Sequence, residues 1–213
     1  MLNFKELKEI KGDASFRKFF RKKNKSNSSI VVISNKEKLK NLLIYDAINK
    51  ILRKNKILAP KLYKENYTRN SIEIEDFGDD TIYKILVKKK DSKFYYYKKI
   101  IKILNKIQNI KDKSIKNFKN KKFKIPKYKE ETLIKEANLF CDWYLKKKLT
   151  KHNKIKFIKK YKKIIKELSF GLKLKNNVFV HRDFHVSNLM LVKNKIGVID
   201  TQDALLGNSA YDL

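Results

Sequence analysis

The hydrophobic pattern changes period several times along the chain. Apolar residues in 16–21 and 30–34 predict two β-strands, joined by the polar turn 22–29. Between 37 and 56 the period becomes helical: Leu39, Leu42, Leu43, Ala47, Ile48, Ile51 and Leu52 form one stripe, which Ala59-Pro60 ends. Segments 61–65 and 71–75 predict a second hairpin with 67–70 as its turn, after which Asp76-Phe77-Gly78-Asp79-Asp80 breaks the pattern. Helical spacing returns in 92–110, through Tyr96, Ile100, Ile103, Leu104 and Ile107, and again in 130–148 and 154–172; the basic stretch 111–127, with Pro126, reads as a loop. Near the end, 178–180, 189–192 and 196–199 are short apolar runs, the last two separated by Lys193-Asn194-Lys195, a hairpin signature. The expected fold class is therefore α+β and bilobal: a small antiparallel-sheet lobe with one helix over 1–78, and a helical lobe over 79–213 that carries the final loop and hairpin.

Composition changes this picture little. The 213 residues can bury a substantial core, and the net charge of +32 invites a nucleic-acid reading. Yet 49 of the 54 basic residues are lysine, spread between apolar positions throughout, while base readout favours clustered arginine. A solvated lysine surface is the expectation, with no specific nucleic-acid partner and weak polyanion binding at low salt. Cys141 stands alone, so no internal disulfide can form, which fits a reducing compartment. No apolar run approaches the ~18 residues of a membrane span, and the first residues lack a signal-peptide apolar region. A cytoplasmic protein without a membrane partner is expected.

The chemistry concentrates in Val180-His181-Arg182-Asp183-Phe184-His185-Val186-Ser187-Asn188 and in Asp200, at the end of the last apolar run. The spacing is that of the catalytic loop H-R-D-x-x-x-x-N of phosphoryl-transfer enzymes and its downstream metal aspartate. Asp183 can take the proton of a substrate hydroxyl. Asn188 offers a hard amide oxygen to Mg2+, and Asp200 a carboxylate. The hairpin should fold Asp200 back toward Asn188. A metal-dependent hydrolase using His181, Asp183 and His185 as ligands is the rival from another enzyme class, but it leaves Asn188 and Asp200 without a task.

With these residues in view, the chain resembles the aminoglycoside phosphotransferase/choline kinase superfamily, of protein-kinase-like fold. More narrowly it resembles the kinases that phosphorylate N-acetylmuramate and N-acetylglucosamine at the anomeric hydroxyl. The ordered matches are Gly12-Asp13-Ala14-Ser15-Phe16-Arg17, Glu75-Asp76-Phe77-Gly78-Asp79, Glu136 to Phe140 with Trp143-Tyr144-Leu145, His181 to Asn188, and Gly197-Val198-Ile199-Asp200 with Gln202-Asp203-Ala204 and Tyr211-Asp212-Leu213.

The resemblance implies ATP and Mg2+ as cofactors and a small sugar or alcohol as acceptor, with a place in cell-wall sugar recycling. It implies that Gly12, Asp13, Ala14 and Ser15 turn over the ATP phosphates and that Glu75 and Phe77 belong to an adenine-binding hinge. Arg17, with Lys36 behind it, stands in for the lysine that kinases carry on the third strand, which is absent from Ile30-Val31-Val32-Ile33. Asp46 is a possible ion-pair partner there, although a solvent-facing aspartate is the simpler expectation. His185, Gln202 and Asp203 are candidate sugar contacts. His181 braces the loop, and Arg182 pairs with an acid such as Asp203. Thr201 replaces an aromatic residue, so local packing should differ. The chain stops at Leu213, where the family continues into further helices, so a C-terminally truncated fold is expected. Alternatives are an aminoglycoside, choline or another small alcohol as acceptor, and an inactive truncated kinase-like protein.

Overall fold

The structure is a computed structural model that describes residues 7–10, 17–23, 27–35, 38–88, 92–145, 151–171 and 177–213. Its first part is an antiparallel sheet of β1 (Leu7–Ile10), β2 (Arg17–Lys23), β3 (Ser28–Ser34), β4 (Leu62–Asn66) and β5 (Ser71–Glu75), in the order β1-β2-β3-β5-β4. Helix α1 (Lys40–Lys54) crosses between β3 and β4, so the expected order strand, strand, helix, strand, strand is present. Strand β1 is an addition. Its sequence, Leu-Lys-Glu-Ile, is too short and polar to stand out, and pairing with β2 makes it a strand.

Alternation on β3 and β5 turns Ile30, Val32, Ile72 and Ile74 to one face, where they pack on Leu42 and Tyr45 of α1. The other side of α1, with Ile48, Ile51 and Leu52, enters the main core. That core also takes Ile82 and Leu86 of α2 (Ile82–Lys88) and Ile100 and Ile107 of α3 (Lys93–Gln108). Each such buried side chain contributes about 1.5–3 kcal/mol of transfer free energy. Helix α1 thus joins the sheet to everything that follows.

The basic stretch expected to be a loop contains a small hairpin, β6 (Ser114–Lys116) with β7 (Lys122–Lys124). Its lysines mask a period-2 pattern in which Ile115 and Phe123 face the core. Helix α4 (Glu130–Leu139) continues as a π-helical segment, Phe140–Leu145, in which Cys141 is buried, and α5 spans Lys151–Gly171. The chain then enters β8 (Val178–Val180), β9 (Leu189–Val192), β10 (Lys195–Val198) and β11 (Leu205–Gly207). The expected β9–β10 hairpin forms, with Leu189 opposite Val198, and its turn is one residue shorter than expected because Lys195 pairs with Val192. Strand β11, not foreseen in the sequence, pairs antiparallel with β8.

The hairpin is fastened to the exit of the sheet on both sides. Val198 N–H donates to Leu58 O at 2.8 Å, and Leu191 N–H donates to Asp80 O at 2.8 Å. Between those ties, Phe77 lies against Gly197, where an added Cβ would stand 2.6 Å from the ring. Glycine at this position lets the hairpin approach the segment that leaves β5.

Candidate active site

The loop between β8 and β9 is built on a buried histidine. His181 has no exposed surface. Its Nδ1 accepts from the Asp183 N–H at 3.3 Å, which leaves Nε2 to donate to Ile199 O at 3.0 Å. Burial pushes the His181 pKa down, against the pull of Asp212, the Ile199 carbonyl, Asp200 and Asp183, so the neutral ring is the folded form. These bonds tie the ring to the Asp183 amide and to the residue that follows β10.

Arg182 has φ of 76°, the left-handed region that side chains rarely adopt. Asp212 holds it there, accepting from His181 N–H at 2.6 Å and Arg182 N–H at 2.9 Å. The Arg182 guanidinium pairs with Glu136 of α4, not with Asp203 as expected. Glu136 lies 46 positions away in sequence, and the helix that carries it passes beside the loop only in the folded chain. Tyr128 and Tyr211 also donate to the Glu136 carboxylate. Burial, reinforced by Glu136, pushes the Tyr128 hydroxyl pKa up, so it stays a donor.

Asp183 stands half-exposed at the cleft. Asn188 Nδ2 donates to its carbonyl at 3.0 Å and its Oδ2 at 2.9 Å, while His185 Nε2 lies 3.0 Å from Oδ1. His185 Nδ1 accepts from Ser187 N–H at 3.3 Å, so a ring with its proton on Nε2 meets both partners. With Nδ2 committed to Asp183, Oδ1 is the atom through which Asn188 can take a cation. The hairpin returns the chain as expected: Ile199 N–H donates to Asn188 O at 3.0 Å, and the next residue is Asp200, at φ of 58°.

Asp200 Oδ1 accepts from Arg17 Nη2 at 2.7 Å, and Gln202 Oε1 accepts from Arg17 Nη1 at 2.6 Å. Gln202 is buried and donates through Nε2 to Asp203 Oδ2 at 2.8 Å. Thr201, between them, is buried and donates to Asn49 Oδ1 of α1 at 2.7 Å.

Arg17, Asp183, His185, Asn188 and Asp200 line a cleft of about 730 Å³, together with Glu75, Phe77, Gly78 and Asp79, and with Phe19, Ile30, Tyr45, Ile74 and Met190. Gln202 and Asp203 do not line it. Burial pushes the Tyr45 hydroxyl up to about 12, so it is neutral. Gly12, Asp13, Ala14, Ser15 and Lys36 lie outside the described residues.

Asp46 does not face solvent. It is buried and paired with Lys50 at 2.9 Å, one helical turn away, rather than with a cleft residue, and burial raises its pKa.

Arg21 is the residue that the sequence reading missed. Its Nε donates to Asp76 Oδ2 at 2.7 Å, Nη1 to Asp79 Oδ2 at 2.8 Å, and Nη2 to Asp76 Oδ1 at 3.2 Å and Gly78 O at 3.1 Å. These bonds pin the segment that leaves β5. Hydrogen bonding to Arg21 holds the Asp79 carboxyl below its usual range. Burial of Asp76 acts upward, but its bonds from Arg21, Ser28 and the Gly78 N–H outweigh that and lower it too. One signal was present: a chain with only five arginines places Arg17 and Arg21 four apart, on one face of a strand. A planar fork is what bidentate pairing requires and lysine cannot supply.

Among the described residues, no group of three or more His, Cys, Asp and Glu side chains could hold a metal ion by itself. His181 is turned inward to Ile199, which removes one ligand of the hydrolase alternative. The tyrosines at 95–97 do not form a cage. Tyr95 and Tyr97 are exposed, and Tyr95 meets Tyr96 edge-on at 5.2 Å.

A loop aspartate, a following asparagine and a hairpin aspartate, beneath a five-stranded sheet, define the architecture of a phosphotransferase. The chain belongs to the phosphotransferase enzyme family, whose sequence profile matches residues 6–213. It is 26% identical over 201 residues to the N-acetylmuramate/N-acetylglucosamine kinase of Neisseria meningitidis serogroup B, covering 94% of this chain and 58% of that protein. It is 26% identical over 208 residues to the kinase of the same name from Pseudomonas aeruginosa, covering 98% of this chain and 58% of that one. The chain therefore spans little more than half the length of these relatives. The structure also superposes on APH(2")-IIa, solved as a ternary complex with streptomycin and ATP, with a TM-score of 0.66 and 15% identity over 97% of this chain and 69% of that one. That likeness establishes the α+β kinase-like fold.

Proposed function

We propose that the cleft transfers the γ-phosphoryl group of ATP to a hydroxyl of a small molecule, and that the acceptor is the anomeric hydroxyl of an N-acetylated amino sugar. Asp183, Asn188 and Asp200, all lining one cleft, with Asn188 bonded to Asp183 and to the residue before Asp200, carry this reading. The names of the relatives support the acceptor class. The ATP-bound neighbour supports the donor. On this reading residues 1–78 form the nucleotide-binding lobe and 79–213 the lobe that carries the catalytic loop. Gly12, Asp13, Ala14 and Ser15 cover the phosphates, and Glu75 and Phe77 border the adenine. The protein works in the cytoplasm, in the recycling of cell-wall sugars.

The residues fit Mg2+. Asn188 and Asp200 are hard oxygen donors, and two protein ligands completed by phosphate oxygens is the usual arrangement for this cation. Bound there, it would neutralise charge on the β- and γ-phosphates. The protein's own part is positioning and proton transfer. Asp183 takes the acceptor proton as the hydroxyl oxygen bonds to the γ-phosphorus and the bond to the β-phosphate oxygen breaks, releasing ADP. Asn188 Nδ2 and His185 Nε2 each occupy one carboxylate oxygen of Asp183 and fix its plane. Arg17 adds positive charge at the phosphate end.

A 31P NMR time course with Mg-ATP and N-acetylmuramate or N-acetylglucosamine tests the proposal. A sugar 1-phosphate signal that is absent with Asp183→Asn supports it. Intact ATP and no sugar phosphate with either sugar would overturn the acceptor assignment.

A further inference from the structure

Arg17 occupies a position that the proposed reaction must disturb. It is 8% exposed, and its two terminal nitrogens are shared between Asp200 and Gln202. A carboxylate engaged by a guanidinium is a poorer cation ligand, and the guanidinium itself repels a cation brought to Asp200. Arginine cannot relieve this by losing its proton. If Asp200 serves a cation through Oδ1, Arg17 has to leave that oxygen.

Gln202 determines where Arg17 can go. Its Oε1 faces Nη1, and an amide oxygen in that position is required because a guanidinium only donates. Its Nε2 is held by Asp203, so the amide cannot flip without losing both bonds. Gln202 is buried and does not line the cleft, whereas Arg17 and Asp200 do. The pair Gln202–Asp203 therefore grips one nitrogen of Arg17 from behind while the other nitrogen meets the cleft.

We propose that Gln202, steadied by Asp203, is a positioning residue that keeps Arg17 at the phosphate end while its other nitrogen exchanges between Asp200 and the nucleotide phosphates. This rests on the phosphotransferase reading and deepens it. In the empty protein Arg17 caps Asp200. When nucleotide and cation arrive together, Arg17 turns to phosphate oxygens without leaving Gln202. Cation and nucleotide then bind cooperatively, each making room for the other.

Mn2+ binding followed by electron paramagnetic resonance, without nucleotide, reads the cap directly; calorimetry reads Mg-ATP affinity. Arg17→Met should tighten binding of Mn2+ alone about 10-fold and weaken Mg-ATP about 10-fold, as loss of a charged hydrogen bond implies. Gln202→Met should leave binding of Mn2+ alone unchanged, because Arg17 still caps Asp200, yet weaken Mg-ATP by a similar factor. A merely structural role for Arg17 would weaken both binding constants or leave both unchanged, instead of moving them in opposite senses. Unchanged or weaker Mn2+ binding in a folded Arg17→Met overturns the exchange while leaving the phosphotransferase reading intact. If Arg17→Met does not fold, unchanged Mg-ATP affinity in Gln202→Met overturns it equally. Absence of Mg-ATP binding to the wild-type protein would overturn both readings.

Discussion

Two arginines on one strand both line the cleft but are held differently, and the difference separates the two groups of residues they bind. Arg21 gives its nitrogens to two carboxylates and a carbonyl of the single segment that leaves β5, and Asp76, the closer partner, has a 3% exposed side chain. Arg17, four residues earlier on the same face of β2, shares itself between a carboxylate with a 34% exposed side chain and a neutral amide. A guanidinium saturated by anions has no reason to move. One whose carboxylate partner borders the cleft can be drawn toward phosphate. The segment that leaves β5 is thus fixed by charge, whereas on the proposed reading Arg17 is held ready for exchange. Fold and chemistry use the same residue type for opposite purposes.

The largest expected effect belongs to the phosphate end. Asp183→Asn should lower the transfer rate about 10^3-fold, the scale of a lost general base, with Mg-ATP affinity within about twofold of wild type. Steady-state kinetics and calorimetry together check this. An equal loss in affinity would place Asp183 in nucleotide binding and blur the comparison.

Stability should show the reverse ranking. Arg21→Leu leaves Asp76 buried without its partner and should cost about 2 kcal/mol, whereas Arg17→Met should cost about 1 kcal/mol because Asp200 can rehydrate. Urea denaturation of the two variants decides the order. A larger loss for Arg17 would break the comparison. Gly197→Ala, which forces a Cβ against Phe77, should cost about 1–2 kcal/mol by overpacking the junction of the hairpin with the segment that leaves β5.

Acid should separate the two groups with the smallest effect. The folded state of His181 resists the proton that the unfolded chain accepts below the ordinary value of 6.5, so its contribution is complete above that pH and is lost on acidification. Asp76 and Asp79 are shifted down from 3.8, so the clamp made by Arg21 weakens only as pH falls below that value. At pH 5, hydrogen-exchange protection should fall at the Asp183 and Ile199 amides and persist at Gly78 and Glu75.

Much of this architecture was legible in the chain. The period changes located the helices and the paired strands, and the spacing of Asp183, Asn188 and Asp200 predicted a meeting that the β9–β10 hairpin delivers. Partner choice was less legible. Glu136 reaches Arg182, Asp212 caps the loop amides and Asn49 receives Thr201 only because distant elements pack together, and no local pattern encodes that. Strands β1 and β11 are specified by their partners more than by their own residues. Asp46 misled because lysine-rich surroundings read as solvent.

The most direct test is a crystal structure with Mn2+ and a non-hydrolysable ATP analogue, using the anomalous signal of the metal. The expected result is a metal peak between Asn188 and Asp200, phosphates against Arg17, and the base beside Glu75 and Phe77 near an unmoved Arg21. A nucleotide bound in the opposite sense, or a metal remote from Asp200, would contradict the assignment of the two groups.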